Sequence, residues 1–378
     1  MSTIGLLAWK MLLHNRPRLF FTLLGVSTAF FLAAAQFGLL IGWISATTAL
    51  INHAKVDLWV MAKNTRAYDY APPIPRQYLY RVRSVSSVDW AQAQVVVWNI
   101  WVRPNGSTAS IQLIGLDQDG VGGPWQMASG TLQNIHKPET VIVDELYRNL
   151  LQVHALSDTA QMNNITVKIG GFSQGVRSFS GTPHVFSSLK QALIYDLRYQ
   201  DDEITYVLVR CRTNVDSKIV QTELREKIQE AEILTSDEFA ERTARYWMLG
   251  TGAGIGVVLT AILGLLVGAI ITSQTLFATT QENICNYMTL LAIGFDRKIL
   301  VRVLLLQSLL VGVTGIIIGS LEFMPLHWLT ERSPLSIAFN PYLFIGLIGL
   351  FLLICVLSSS LSIRSIFNLD PVEIFSQR

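Results

Sequence analysis

Charge is what this 378-residue chain lacks most. Asp, Glu, Lys and Arg make up 15 % of it, against roughly a quarter in an ordinary soluble domain. Apolar residues reach 51 % and mean hydropathy is +0.39. That balance argues against a purely water-soluble globule. It argues equally against disorder, which needs few apolar residues and much charge. Cysteine is scarce as well, and three in the whole chain cannot build a disulfide scaffold. The net charge of +2 offers no basic surface for nucleic acid. The six histidines, at 14, 53, 136, 154, 184 and 327, show no metal-ligand spacing, so no metal is expected. No G-x-x-x-x-G-K-[ST] run occurs, so the chain carries no P-loop of its own. No nucleophile motif organises the Ser, His and acidic residues, and no enzyme activity is expected.

The missing charge is concentrated in blocks. Residues 19–54, 246–281, 303–321 and 333–363 hold no Asp, Glu, Lys or Arg. A membrane helix needs about 20 mostly apolar residues. The blocks predict four transmembrane helices, at 19–45, 246–276, 302–329 and 342–363. Arg16, Arg18, Ala33 and Ala35 would also suit a cleaved signal peptide, but the apolar run through Trp43 is too long for one. Lys10, Arg16 and Arg18 precede the first span, Arg297, Lys298 and Arg302 lie between the second and third, and Arg364 follows the fourth. The positive-inside rule therefore puts both termini, including the 1–18 lead-in and the 364–378 tail, and the 277–301 loop in the cytoplasm. The short 330–341 loop and the segment 46–245 fall outside.

Segment 46–245 has 20 basic and 21 acidic side chains, an ordinary soluble composition. Val56–Ala62, Val88–Val102 and Ile204–Arg212 read as strands, and Pro75–Val85 as a helix opened by Pro75. Thr235 and Glu238 form a capping box for a helix expected to run through Tyr246 directly into the second span. Two βαβ halves result, about 56–102 and 204–235, around an inserted subdomain at about 103–200. A split ferredoxin-like core is one arrangement that fits. The acidic run Asp201-Asp202-Glu203 reads as a solvated turn, and Cys211, Cys285 and Cys355 as packing residues.

Inside the spans, Gly252 and Gly256, Gly264 and Gly268, and Gly315 and Gly319 have the small-x-x-x-small spacing that lets membrane helices approach closely, within one chain or across a dimer. Gln36 and Glu322 are polar groups in apolar surroundings, either functional or interfacial. Between the second and third spans, Ile284, Tyr287, Met288 and Leu291 recur at helical spacing, and Gly294 is a natural stop. This is a short amphipathic helix whose apolar face points toward lipid or a partner protein.

These residues resemble the FtsX-like permease subunits of MacB-type ABC transporters, most closely the stand-alone DevC-type export permeases. The family's loop reads R-E-x-E-Y-x-x-L-K-A-I-G, and Glu282, Tyr287, Leu290, Ala292, Ile293 and Gly294 fall on it. Leu291 stands where Lys is usual, and Asn286 where Glu is. Ala54–Val60 resembles the first outer strand, and Asp370-Pro371-Val372-Glu373-Ile374-Phe375 the D-P-x-E-x-[LF] tail. The resemblance implies an α-helical membrane protein of four transmembrane helices with a large α+β extracytoplasmic domain between helices 1 and 2. It implies a homodimer in the inner membrane, separate ABC ATPase subunits that hydrolyse ATP with Mg, a periplasmic membrane fusion protein and an outer-membrane channel. Gln281, Glu282, Ile284, Tyr287, Met288, Leu290, Leu291, Ala292, Gly294 and Phe295 would couple to the ATPase. The implied function is export of a lipid-like or other hydrophobic substrate by mechanotransmission. A non-transporting regulator of a cell-wall hydrolase is the alternative. The stretch Tyr68–Pro75 is a further candidate contact for a fusion protein.

Overall fold

The computed structural model describes residues 3–196, 202–331, 333–334 and 336–367. Asp201 and the Asp370–Phe375 motif lie outside the described residues. The chain divides into two compact units: Trp43–Ile255 with a short piece of the 332–336 loop, and a unit built from the remaining helices.

The helical unit begins with α1 (Thr3–His14) and α2 (Arg16–His53), the latter ending inside the other unit. Among the described residues four helices are long and apolar enough to cross a membrane: α2, Gly252–Glu282, Arg297–Thr330 and Pro341–Ser359 within Pro341–Phe367. The middle of α2 is the hub. Ala29, Phe30, Ala33 and Ala34 are buried against Ile316, Phe323, Leu347 and Phe351. The Phe30 ring meets Phe351 edge-on at 5.2 Å.

Small residues make this closeness possible. A Cβ at Gly319 would lie 2.6 Å from the Ser27 carbonyl oxygen, and one at Gly315 2.6 Å from Val26 Cγ1. Gly268 and Gly264 meet α2 in the same way, at the Ala29 carbonyl (3.0 Å) and Gln36 Cγ (2.8 Å). Gln36 is thus a packing surface for Gly264. Hydroxyl pairs add polar ties: Thr22 to Thr279 at 3.0 Å and Ser273 to Ser358 at 2.7 Å. Gly252 and Gly256 differ, because nothing stands within 4 Å of a Cβ at either. They pack against no helix among the described residues, which corrects their reading as an intrachain packing pair.

The α+β unit contains, in chain order, β1 (Leu58–Ala62), β2 (Ile74–Pro75), α3 (Gln77–Arg83), β3 (Val88–Val102), β4 (Thr108–Leu116), β5 (Met127–Gly130), β6 (Thr140–Asp144), α4 (Arg148–Leu151), β7 (Thr159–Met162), β8 (Ile165–Ser173), β9 (His184–Ser188), α5 (Leu189–Tyr195), β10 (Glu203–Ile204), β11 (Tyr206–Cys211), α6 (Ser217–Lys227), β12 (Ala231–Thr235) and α7 (Ser236–Leu249). The helices α8 (Gly252–Glu282), α9 (Ile284–Ala292), α10 (Arg297–Thr330) and α11 (Pro341–Phe367) follow.

One sheet runs β12-β1-β11-β3 before continuing into β4. β1 is antiparallel to both β11 and β12, and β11 is antiparallel to β3. Helices α3 and α6 cross between the parallel pairs, which gives the split βαβ order of a ferredoxin-like core. Pro75 sits in β2, paired with Glu203, and the helix starts two residues later than the sequence suggests. Proline suits that position because a two-stranded edge asks little of its missing N–H.

The 15-residue β3 does double duty. Its first half pairs with β11, and residues from Gln94 onward pair with β4. Its end, Trp101 and Val102, also pairs with β7. Following the pairings β3-β4-β9-β6-β8-β7 returns to β3. The segment between the βαβ halves is therefore a closed ring of six strands that borrows one strand from the core. Closure leaves no free edge within the ring. Trp101 is fully buried, with its indole N–H donated to the Leu151 carbonyl at 3.2 Å.

Thr235 caps α7 as a complete capping box with Glu238. The helix does not pass directly into the membrane span: α7 stops at Leu249 and α8 starts at Gly252. Thr251 supplies the break, its hydroxyl accepting from the Gly254 N–H at 3.1 Å. A Cβ at Gly254 would overlap the Trp247 carbonyl, so only glycine fits this close approach of α8 to the end of α7.

Glycine at the α2 seam leads to a contrast. Gly319→Leu should lower the thermal midpoint of the detergent-solubilised chain, costing about 1–3 kcal/mol by overpacking, whereas Gly252→Leu should leave the monomer's midpoint unchanged. Equal effects in the two variants would mean that the seam is not the constraint.

Candidate functional site

The helix joining two apolar spans is α9, and its placement is set by groups from three other helices. At its start, Asn283 is buried between α8 and α9. The Arg18 guanidinium donates to Asn283 Oδ1 at 3.3 Å and forms an ion pair with Glu282. Asn283 in turn donates to the Thr279 carbonyl at 3.0 Å and accepts from Asn286 at 3.3 Å. This ties the first turn of α2 to the α8–α9 junction.

The middle of α9 is held from the other side. Tyr287 is 1 % exposed and its hydroxyl donates to Gln307 Oε1 at 2.7 Å. The Gln307 amide donates onward to the Ala8 carbonyl in α1 at 3.4 Å. Burial pushes the Tyr287 phenol above its usual range, so it stays protonated and remains a donor at any physiological pH. Leu300 and Leu304 of α10 pack on Tyr287, with Met11, Leu290 and Leu291 half-buried beside them. At the far end Gly294 adopts φ +99°, and the Phe295 N–H returns to the Leu290 carbonyl at 3.1 Å. Only glycine takes that backbone without strain.

The helical spacing seen in the sequence is thus present, but its direction differs from the expected one. Tyr287 and Met288 face inward and Ile284 and Leu291 are half-buried, so the chain itself covers much of that apolar face. The freely exposed residues are Glu282, Cys285, Asn286, Thr289, Ala292, Ile293, Gly294 and Phe295, with Ile293 the most exposed large apolar side chain of the segment at 71 %. Gln281 is half-buried. The braces Arg18, Asn283 and Gln307 carried no sequence signal, because Arg18 and Glu282 stand 264 residues apart.

The other polar candidate in a span, Glu322, lies exposed on α10 beside buried Phe323 and makes no hydrogen bond or ion pair among the described residues. In the α+β unit, Asp69 in the Tyr68–Pro75 stretch is buried. It accepts from Gln112 at 2.9 Å and from the Trp247 indole at 3.0 Å. Burial raises its carboxyl above the usual range, since only neutral donors reach it. Tyr70, Trp98, Phe179 and Trp43 form rings around Trp247 and one another. This stretch is therefore substantially a structural joint within its unit, although Tyr70 remains 49 % exposed.

Removing the Tyr287 hydroxyl strands Gln307 Oε1 in a buried site, so Tyr287→Phe should destabilise the solubilised chain by about 1–3 kcal/mol. The same variant should raise the labelling rate of exposed Cys285 by a maleimide. Unchanged melting and labelling would show that the hydroxyl does not hold α9.

Known families match both halves of the chain. Residues 19–227 match the MacB-like periplasmic core domain, and residues 258–371 match the FtsX-like permease C-terminal family. Among solved structures, the periplasmic region of MacB from Actinobacillus actinomycetemcomitans is 14 % identical, covering 50 % of this chain and 92 % of that one at a TM-score of 0.40. The extracellular domain of the noncanonic ABC-type transporter YknZ from Gram-positive bacteria is 11 % identical, covering 47 % of this chain and 98 % of that one at a TM-score of 0.35.

Proposed function

The chain belongs to the family of ABC-transporter permeases with a MacB-like periplasmic core domain and an FtsX-like C-terminal region, and from that premise we propose that it is the membrane subunit of an ATP-driven export complex of the DevC type. It binds no nucleotide itself. A separate ABC ATPase hydrolyses ATP with Mg, and α9 is where its motion enters the permease. The observation that carries this reading is the double brace on α9, from Arg18 at its start and from Tyr287, Gln307 and Ala8 at its middle. A segment fixed to α1, α2 and α10 at once transfers an applied displacement to those helices instead of absorbing it.

In this reading the partner ATPase touches the outward residues Ala292, Ile293, Gly294 and Phe295, while Tyr287, Met288, Leu290 and Leu291 act from inside as supports. Both termini are cytoplasmic, and the α+β unit is periplasmic. Two copies form a homodimer in the inner membrane, with Gly252 and Gly256 at the contact between them. The open space around both glycines supports that assignment. The exported substrate is lipid-like or otherwise hydrophobic, handed to a periplasmic fusion protein and an outer-membrane channel.

The test pairs Ile293→Asp with Phe295→Asp. Both positions are exposed, so the variant should melt like the parent while co-purification of an ABC ATPase from the native membrane falls at least about tenfold, as expected for loss of apolar anchors in an interface. Undiminished recovery of the ATPase would overturn the assignment of α9.

A further inference from the structure

The α+β unit carries a cleft of about 570 Å³ that the export reading does not use. It opens where the parallel strands β4 and β9 end side by side, with Leu116 opposite Ser188. The volume falls within the range of small-molecule sites.

The chemistry of the walls is uneven. Arg76, just ahead of α3, has a buried Nε with no hydrogen-bond partner among the described residues. Lys190 on α5 lines the same cleft, is exposed, and makes no ion pair among the described residues. The one carboxylate in the wall, Asp117, is already committed. Its Oδ2 lies 3.7 Å from the Arg83 guanidinium and accepts from the Ala93 N–H at 3.3 Å. His136 is engaged with the Gln118 carbonyl at 3.0 Å. Two uncommitted cations therefore face a concave space, and one of them has a donor already withdrawn from water. A buried donor without an acceptor is costly, and an incoming oxyanion would remove that cost. Gln118 and Ser188 add neutral polar groups, and the rest of the wall is apolar: buried Leu116 and Leu189, half-buried Leu193, and Ile194, which is 48 % exposed.

We propose that this cleft binds a small anionic amphiphile, with its phosphate or carboxylate group on Arg76 and Lys190 and a short apolar chain against Leu193 and Ile194. The anion arrives either as a soluble ester or as a lipid headgroup, since both present the same oxygens. The proposal is independent of α9 and of any ATPase.

The full chain in phosphatidylcholine nanodiscs is titrated calorimetrically with inorganic phosphate, butyl phosphate, butanol and dihexanoyl phosphatidic acid, with empty nanodiscs as the blank. Butyl phosphate should bind more tightly than inorganic phosphate, and butanol should not bind. Arg76→Gln and Lys190→Gln should each weaken butyl phosphate at least about tenfold, the loss of one charge-assisted contact. Arg76→Lys should recover part of that loss. If Arg76→Gln fails to melt like the parent, Lys190→Gln on the exposed rim carries the same test. Tighter binding of dihexanoyl phosphatidic acid supports a lipid source, and equal binding supports a soluble ester. Equal affinity for inorganic and butyl phosphate would overturn the amphiphile. Unchanged affinity in the two glutamine variants would overturn the site.

Discussion

The membrane unit depends on how closely α2 can approach α10. Water drives no association between helices inside a bilayer, so contact has to be gained through packing and hydrogen bonds between them. Gly315 and Gly319 remove the side chains that would hold the two backbones apart. With the seam closed, Phe30 reaches Phe351 and Phe344, and α11 is drawn into the same core. The seam also fixes where the first turn of α2 lies. Arg18 sits about two turns from Val26 on that helix, and its reach to Asn283 and Glu282 is thus set by the packing several residues away. The brace on α9 is a consequence of the seam as much as of its own hydrogen bonds.

This arrangement separates two tasks that the α9 sequence alone combines. An amphipathic nine-residue helix could use its apolar face for a partner or for itself. Here Tyr287 and Met288 are consumed internally, which leaves small and backbone-rich surface, with Ile293 and Phe295, for anything outside. A buried tyrosine hydroxyl bonded to an amide fixes the helix more sharply than an apolar contact would, because hydrogen bonding is directional while the hydrophobic effect is not.

The features legible in the sequence were those whose physics is local or one-dimensional. A charge inside a bilayer is costly enough that uncharged blocks mark the four apolar helices without any knowledge of their neighbours. The capping box at Thr235 needs only residues three apart. The strand–helix–strand spacing of the two βαβ halves suggests the order around β1, but the ring is not legible, since β3 closes on β7 about 60 positions away. The helix break after Leu249 is hidden for a different reason. The apolar run of the span masks it, and the Gly250-Thr251-Gly252 sequence that makes it also reads as a membrane helix start. The inward turn of Tyr287 was hidden because its acceptor is on α10 and the next link is a carbonyl of α1.

The shared strand β3 carries a consequence for how this fold can change over time. Side chains alternate faces along a strand, so adding or deleting one residue moves everything beyond it to the opposite face. In β3 such a change near Gln94 would invert either the ferredoxin-like half or the ring, according to which end stays anchored. The turn from Arg103 to Ser107, by contrast, closes through two backbone hydrogen bonds, from the Arg103 N–H to the Ser107 carbonyl and from the Gly106 N–H to the Arg103 carbonyl. Length variation among descendants of this chain should therefore collect in that turn and at similar loop tips, while β3 keeps its residue count even where its side chains drift. A strand that belongs to two structures at once can be repainted but not lengthened.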